Sequence, residues 1–209
     1  MHIGVDEAGR GPLAGPVCAA AVILNPNLPL EGLADSKSIS ETKRNRLAPL
    51  IQTKSLAWGI GWATVSEIEA FDILRASFMA MSRAVEDCLR RYSEGDRVPI
   101  TQTPLVRVDG NHSPGDFEGP WSWPYPTQAI IRGDQTEPSI SAASILAKTA
   151  RDCEMRRLHS IYPDYGFDRH AGYGTRQHLA ALDTFGVTPI HRKTFAPIAR
   201  RLALKLDPR

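Results

Sequence analysis

Apolar and polar positions fall along the chain in blocks of changing period. Ile3–Val5 is a short apolar run that stops at Asp6-Glu7. Val17–Leu24 is unbroken apolar sequence and reads as a buried strand, closed by the turn-forming Asn25-Pro26-Asn27. Ser38-Ile39-Ser40-Glu41 has capping-box spacing and predicts a short helix to about Gln52. Leu56–Thr64 reads as another strand. Ser66-Glu67-Ile68-Glu69 is a second capping box, opening a long helix in which Leu74, Phe78, Met81, Val85 and Leu89 recur at three- and four-residue steps. Leu105–Val108 alternates and ends at Asp109, and Ala129–Ile131 leads into Arg132-Gly133-Asp134. Ser139–Tyr162 reads as a long helix, Thr175–Phe185 and Pro197–Leu206 as further helices. This alternation of strands and helices predicts an α/β fold around a central sheet. Residues 93–104 and 110–128 are irregular and rich in Pro and Gly. The second stretch holds two of the four tryptophans, and a loop of that length is either functional or an insertion.

Composition narrows the class. With 209 residues, 42% hydrophobic and 23% charged, the chain suits a single globular domain with a sizeable core, residues 1–209, rather than a disordered segment. The net charge of +2 does not announce a nucleic-acid partner, but its distribution is uneven. From Ile140 onward twelve Lys/Arg face six Asp/Glu, a balance of +6, which leaves −4 on residues 1–139. Acids holding metal in front and cations holding phosphate behind would give this pattern, and so would unevenly charged helix faces. Three cysteines, an odd number without a C-x-x-C pair, argue against a disulfide framework and a cysteine-rich zinc site, and for a reducing cytoplasm. No apolar run approaches the roughly 20 residues of a membrane span. The amino terminus lacks the basic and apolar regions of a signal peptide.

Candidate chemistry lies at the strand ends. Asp6, Asp109 and Asp134 each follow a short apolar strand candidate directly or nearly so, and Glu7 adjoins the first. Strand ends are where α/β sheets gather reacting groups. A single acid there is more often a turn residue; for all four, a metal site and the turn reading weigh about equally on pattern alone. Clustered carboxylates would repel and hold protons unless a cation neutralised them. Their oxygens suit Mg²⁺ or Mn²⁺ rather than Zn²⁺, and two such ions about 4 Å apart can serve a phosphodiester displacement. The histidines form no H-E-x-x-H. Gly9-Arg10-Gly11-Pro12-Leu13-Ala14-Gly15 could bring backbone close to a ligand, but its spacing, its proline and the strand that follows do not fit a dinucleotide fingerprint. Ser139 to Lys148 opens a helix whose serines and lysine could cradle phosphate, or whose small residues could simply pack against the sheet.

Together, VDEAGRGPLAGPV near the start, DSK at 35–37, VDGN at 108–111, GDQTEPSISAASILAKTARD at 133–152, HAGYGT at 170–175 and PIHRKTF at 189–195 resemble bacterial ribonuclease HII, in that family's order and over nearly the whole chain. The resemblance implies an RNase H-like fold: a mixed sheet of about five strands flanked by helices, with extra carboxy-terminal helices from about residue 175. It implies an endonuclease that cuts the RNA strand of RNA/DNA hybrids and incises 5′ of a lone ribonucleotide in duplex DNA, leaving 3′-hydroxyl and 5′-phosphate ends. The family's metal-binding catalytic acids fall on Asp6, Glu7, Asp109 and Asp134, serving two Mg²⁺ or Mn²⁺ ions. Its sensor of the ribose 2′-hydroxyl falls on Gly9, Arg10 and Gly11, and its junction tyrosine on Tyr173. Lys37, Ser141, Ser144 and Lys148 lie in segments that face phosphates in relatives. The chain departs from the family where Ser38-Ile39 follow Lys37, which removes one cation, and in a longer stretch between Asp109 and Asp134. A monomer without a clamp-binding peptide is expected. A non-catalytic hybrid-binding module would have lost one of the acids. A DNA-cutting nuclease of the same broad fold would need no 2′-hydroxyl sensor.

Overall fold

The computed structural model of the protein describes residues 1–33, 39–95 and 102–206. Five strands form one sheet: β1 (His2–Ala8), β2 (Val17–Ile23), β3 (Ala57–Ala63), β4 (Leu105–Asp109) and β5 (Thr127–Ile130), in the order β3-β2-β1-β4-β5. The β1–β2 and β2–β3 pairs are antiparallel, whereas β4 runs parallel to β1 and β5 parallel to β4. The mixed five-stranded sheet expected from the sequence is therefore the observed one.

Both faces of the sheet are covered. Helix α2 (Val65–Glu94) closes one face over Ile3, Val5, Val17, Ala19, Ala21 and Ile23. Helices α1 (Glu41–Lys54) and α4 (Pro138–Ile161) close the other over Ala20 and Val22. All seven residues of β2 are buried, which is why its sequence is continuously apolar rather than alternating. A third cluster joins Leu13 and Ala14 to Met155, Tyr165 and Phe167 and to the carboxy-terminal helices α6 (Arg176–Phe185) and α7 (Ala196–Leu206). Between β1 and α4 the contact is backbone to backbone. A Cβ on Gly4 would lie 2.5 Å from the Ile140 nitrogen and closer still to the Ser139 carbonyl carbon. Glycine at this position lets the helix seat on the strand that carries Asp6.

Three local expectations are corrected. Helix α1 is capped by Ser40, whose hydroxyl accepts from the Lys43 N–H, so the cap lies two residues after the expected Ser38, which is outside the described residues. Helix α2 is capped by Thr64, not Ser66. Glu67 reaches back to the Thr64 N–H at 2.8 Å, and its carboxylate is also held by Arg83 at 2.6 Å. The long helix is broken at Asp72 (φ 70°), which then recaps the continuation by accepting from the Arg75 N–H. The 110–128 stretch closes over α2: Phe117 and Trp121 pack on Phe78, and Ser82 donates to the Ser122 carbonyl at 2.8 Å. Its tryptophans, Trp121 and Trp123, pack partly buried against the core. Among the described residues no helix is long and apolar enough to cross a membrane. The three cysteines are free thiols, two buried and Cys153 exposed.

Candidate active site

The sheet brings the four acids to one edge. In the parallel register Val5 lies beside Val108, and Asp6 and Asp109 follow one step beyond on neighbouring strands. Asp134 sits in the one-turn helix α3 (Gly133–Thr136) after β5, and its N–H donates to Oδ1 of Asp109 at 3.3 Å. Asp6 is 5% exposed and Asp134 6%. Oδ1 of Asp6 accepts from the Glu7 N–H at 2.7 Å, and the Ser144 hydroxyl also bonds this carboxylate. Ser141 donates to the Asp134 carbonyl at 2.5 Å. Ser141 and Ser144 of α4 are thus both buried and both bonded to acid-bearing segments.

Burial raises the Asp6 carboxyl well above the usual carboxylate range, and the neighbouring Glu7 and Asp109 charges raise it further. All the donors are hard oxygens, and their mutual repulsion is what a small divalent cation would relieve, so the residues fit Mg²⁺ or Mn²⁺. Among the described residues no three acids, imidazoles or thiols are already arranged to hold an ion. A thermal consequence follows from the sign of the shift. An acid raised on folding favours the folded state where it is protonated, and that benefit is lost as pH rises through its folded value. In chelator at pH 8, Asp6→Asn should therefore melt higher, by about 4–8 °C if about 2 kcal/mol of repulsion and burial cost is removed. The gain should shrink toward zero near pH 4. A gain equal at both pH values, or none, would show that Asp6 is not crowded.

Beside the acids lies a hollow of about 290 Å³ lined by Glu7, Gly9, Arg10, Gly11, Lys148 and Tyr173, with Arg151 at its floor. Tyr173 is 46% exposed and its ring stands over Gly11, where an added Cβ would meet its Cε1 at 3.3 Å. Gly9 has φ +100°, and any side chain there would collide with Arg151. Arg10 approaches Glu7 at 3.4 Å. Lys148 lines the hollow but is ion-paired with Asp152, which Arg44 also approaches at 3.5 Å. Lys37 lies outside the described residues.

Two buried arginines, absent from the sequence-based candidates, hold this loop. Arg192 donates from Nη2 to the Gly9 carbonyl at 2.7 Å, from Nη1 to that of Arg10 at 2.9 Å, and from Nε to that of Gly15 at 3.0 Å. Arg151 donates to the carbonyls of Ala14, Pro16 and Ala171. Burial, and then the neighbouring Arg151 charge, lower the Arg192 guanidinium to about 9, which still leaves it charged at neutral pH. The Leu13 N–H donates to the Gly172 carbonyl at 2.8 Å, which stitches the glycine loop to the tyrosine segment. Neither H-R-K-T-F nor A-K-T-A-R-D carries a local signal that its arginine is buried.

Comparison with known proteins agrees with this arrangement. The family described as Ribonuclease HII matches residues 3–198. A ribonuclease HII of Nitrosospira multiformis is 52% identical over 204 residues, covering 98% of this chain and 94% of the relative. One of Hyphomonas neptunium is 54% identical over 202 residues, covering 95% and 94%. The crystal structure of the ribonuclease H2 from Pyrococcus horikoshii superposes with a TM-score of 0.71 at 22% identity, covering 99% of each chain, and so shares the RNase H-like fold. With acids gathered at adjacent strand ends, and with this extent of identity, the chain belongs to the ribonuclease HII family.

Proposed function

We propose that the protein hydrolyses the phosphodiester on the 5′ side of a ribonucleotide, using Asp6, Glu7, Asp109 and Asp134 as its catalytic acids and Gly9, Arg10, Gly11 and Tyr173 to read the sugar. Membership of the family makes the chain a metal-dependent endoribonuclease that acts on the RNA strand of RNA/DNA hybrids. The finer reading, incision at a lone ribonucleotide in duplex DNA, rests on one observation: Tyr173 stands over Gly11 in the hollow that also contains Glu7. A 2′-hydroxyl both donates and accepts, so closely approaching backbone can read it. Gly9 and Gly11 leave room for that approach, and the exposed ring gives the next sugar a flat surface to rest on.

Two Mg²⁺ or Mn²⁺ ions bound by the acids would offset their repulsion and the charge that develops on the phosphate. Asp6 and Asp109, on neighbouring strands, are the central pair; Glu7 and Asp134 flank them. Ser141 and Ser144 orient the acid-bearing backbone and carboxylate. Hydrolysis forms a bond from a water oxygen to phosphorus and breaks the bond to O3′. The products are a 3′-hydroxyl and a 5′-phosphate. Lys148 sits on the hollow wall, its charge shared with Asp152. A monomer suffices, since one chain supplies every group invoked, and free thiols suit a reducing cytoplasm.

The test is to incubate the protein with Mg²⁺ or Mn²⁺ and end-labelled duplexes, one holding a single ribonucleotide, one an all-RNA strand and one all DNA, and to map the ends. Cutting 5′ of the lone ribonucleotide is expected. Binding without cutting would favour a hybrid-binding module, and equal cutting of all-DNA duplex a DNA nuclease. Tyr173→Phe should cut the single-ribonucleotide duplex poorly, and Tyr173→Ala should lose about 10²-fold there with a smaller loss on all-RNA hybrid. Equal losses on both substrates would leave Tyr173 as a packing residue.

A further inference from the structure

The exposed ring of Tyr173 is backed by a chain of buried imidazoles. Nδ1 of His178 lies 2.9 Å from the Tyr173 carbonyl oxygen, and Nε2 of His178 lies 3.0 Å from Nε2 of His191. Nδ1 of His191 lies 3.0 Å from the Thr188 nitrogen and 2.8 Å from its hydroxyl. Both rings are fully buried. With neutral rings, donors and acceptors close in one way only. A carbonyl accepts, so Nδ1 of His178 carries the proton and its Nε2 accepts. His191 must then donate from Nε2, which leaves its Nδ1 to accept from the Thr188 N–H. Burial favours the neutral rings, lowering both and taking His191 to about 4. His170 completes the support: it stacks on His178 with centroids 4.9 Å apart, donates to the Tyr165 carbonyl at 2.8 Å and accepts from the Gly172 N–H at 3.2 Å. The backbone is therefore gripped on both sides of the Tyr173 side chain, at the Gly172 N–H and the Tyr173 carbonyl. None of these histidines lines the hollow.

We propose that His178 and His191 are positioning residues for sugar recognition, a directional relay from Thr188 to the Tyr173 carbonyl that holds the ring over Gly11. This inference rests on the reading of Tyr173 as the junction sensor. A network serving only to fill the core would give the same burial but no dependence on which ring nitrogen is kept, and this difference is testable. In His178→Asn the amide nitrogen takes the place of Nδ1 and still donates to the Tyr173 carbonyl, while the bond to His191 is lost. In His178→Gln the amide reaches His191, and the Tyr173 carbonyl loses its side-chain donor and keeps only the Thr175 N–H, 2.8 Å away. Each variant loses one buried hydrogen bond, so the two should melt at similar temperatures.

Cleavage is measured well below the lower melting temperature, on single-ribonucleotide duplex and on all-RNA hybrid, with Tyr173→Phe alongside. The relay predicts that His178→Gln loses about tenfold or more in kcat/KM on the single ribonucleotide, His178→Asn about threefold or less, and both about threefold or less on the hybrid. Should neither His178 variant be folded at the assay temperature, the same rule is read from His191→Gln, whose amide replaces the Nε2 donor, against His191→Leu, which has none. Here His191→Gln should act like the unsubstituted protein; His191→Leu, which unlike His178→Asn leaves an imidazole at 178 whose proton is no longer fixed on Nδ1, should show the selective loss. Equal behaviour within the folded pair, or equal losses on the two substrates, overturns the relay. If Tyr173→Phe separates the substrates while the histidine pair does not, the relay alone falls. If Tyr173→Phe treats them alike, the junction reading falls and the relay with it.

Discussion

Asp109→Asn should lose at least about 10²-fold in turnover, about 2.7 kcal/mol of barrier, while binding hybrid within a few-fold. The residue ends β4 beside the Asp6 strand, adds to the charge that raises Asp6, and accepts from the Asp134 N–H. It thus adjoins two of the other three acids. Asparagine keeps the volume and, through its carbonyl oxygen, the bond to Asp134, so the fold should survive and the metal-free protein should melt no lower. On the proposed reading, what is lost is one anionic ligand at the centre of the set. The hollow with Gly9, Gly11 and Tyr173 is untouched, which is why affinity should persist. Turnover and dissociation constant need to be measured together. Turnover above about a tenth of the unsubstituted value would remove Asp109 from the centre.

Gly4→Ala should be strongly destabilising for a single added methyl group. Its Cβ would lie 2.5 Å from the Ile140 nitrogen and nearer still to Ser139, and these are backbone atoms that no side-chain rotation can move. Overpacking usually costs about 1–3 kcal/mol; a clash with helix backbone belongs at the upper end or beyond, about 4 kcal/mol, or about 8–16 °C in melting temperature for a chain of this size. The same displacement carries Ser141 and Ser144 away from Asp134 and Asp6. Activity at a temperature where the variant is still folded should therefore fall with both Mg²⁺ and Mn²⁺. A melt within about 2 °C of the unsubstituted protein would show that α4 can shift on β1 without cost.

Sequence order and spatial order agree best where one local force dominates. β2 was legible because a strand covered on both faces needs only a run of apolar residues. The four acids were legible as candidates because strands end where apolar runs stop. The start of α2 was misread because T-V-S-E and S-E-I-E both satisfy capping-box spacing. Thr64 directly follows the last residue of β3, and Glu67 is shared with Arg83 from four turns further along the helix. Arg192 was not legible at all. A fully buried guanidinium is tolerable only because the Gly9, Arg10 and Gly15 carbonyls, distant in sequence, converge on it, and no local pattern announces that convergence. The tryptophan-rich stretch could be read as functional or structural from its length. Its contacts with Phe78 and Ser82 are what make it a cover for the core.

The grip of Arg192 on Gly9 and Arg10 also ties the loop to a residue far along the chain. All four acids precede Arg192 in the chain, as does the serine-bearing start of α4 that supports them. A chain shortened before Arg192 would keep all four acids but leave the Gly9, Arg10 and Gly15 carbonyls without their guanidinium and His178 without its His191 partner. The Gly9–Gly15 loop is thus closed by a guanidinium 177 to 183 positions later in the sequence.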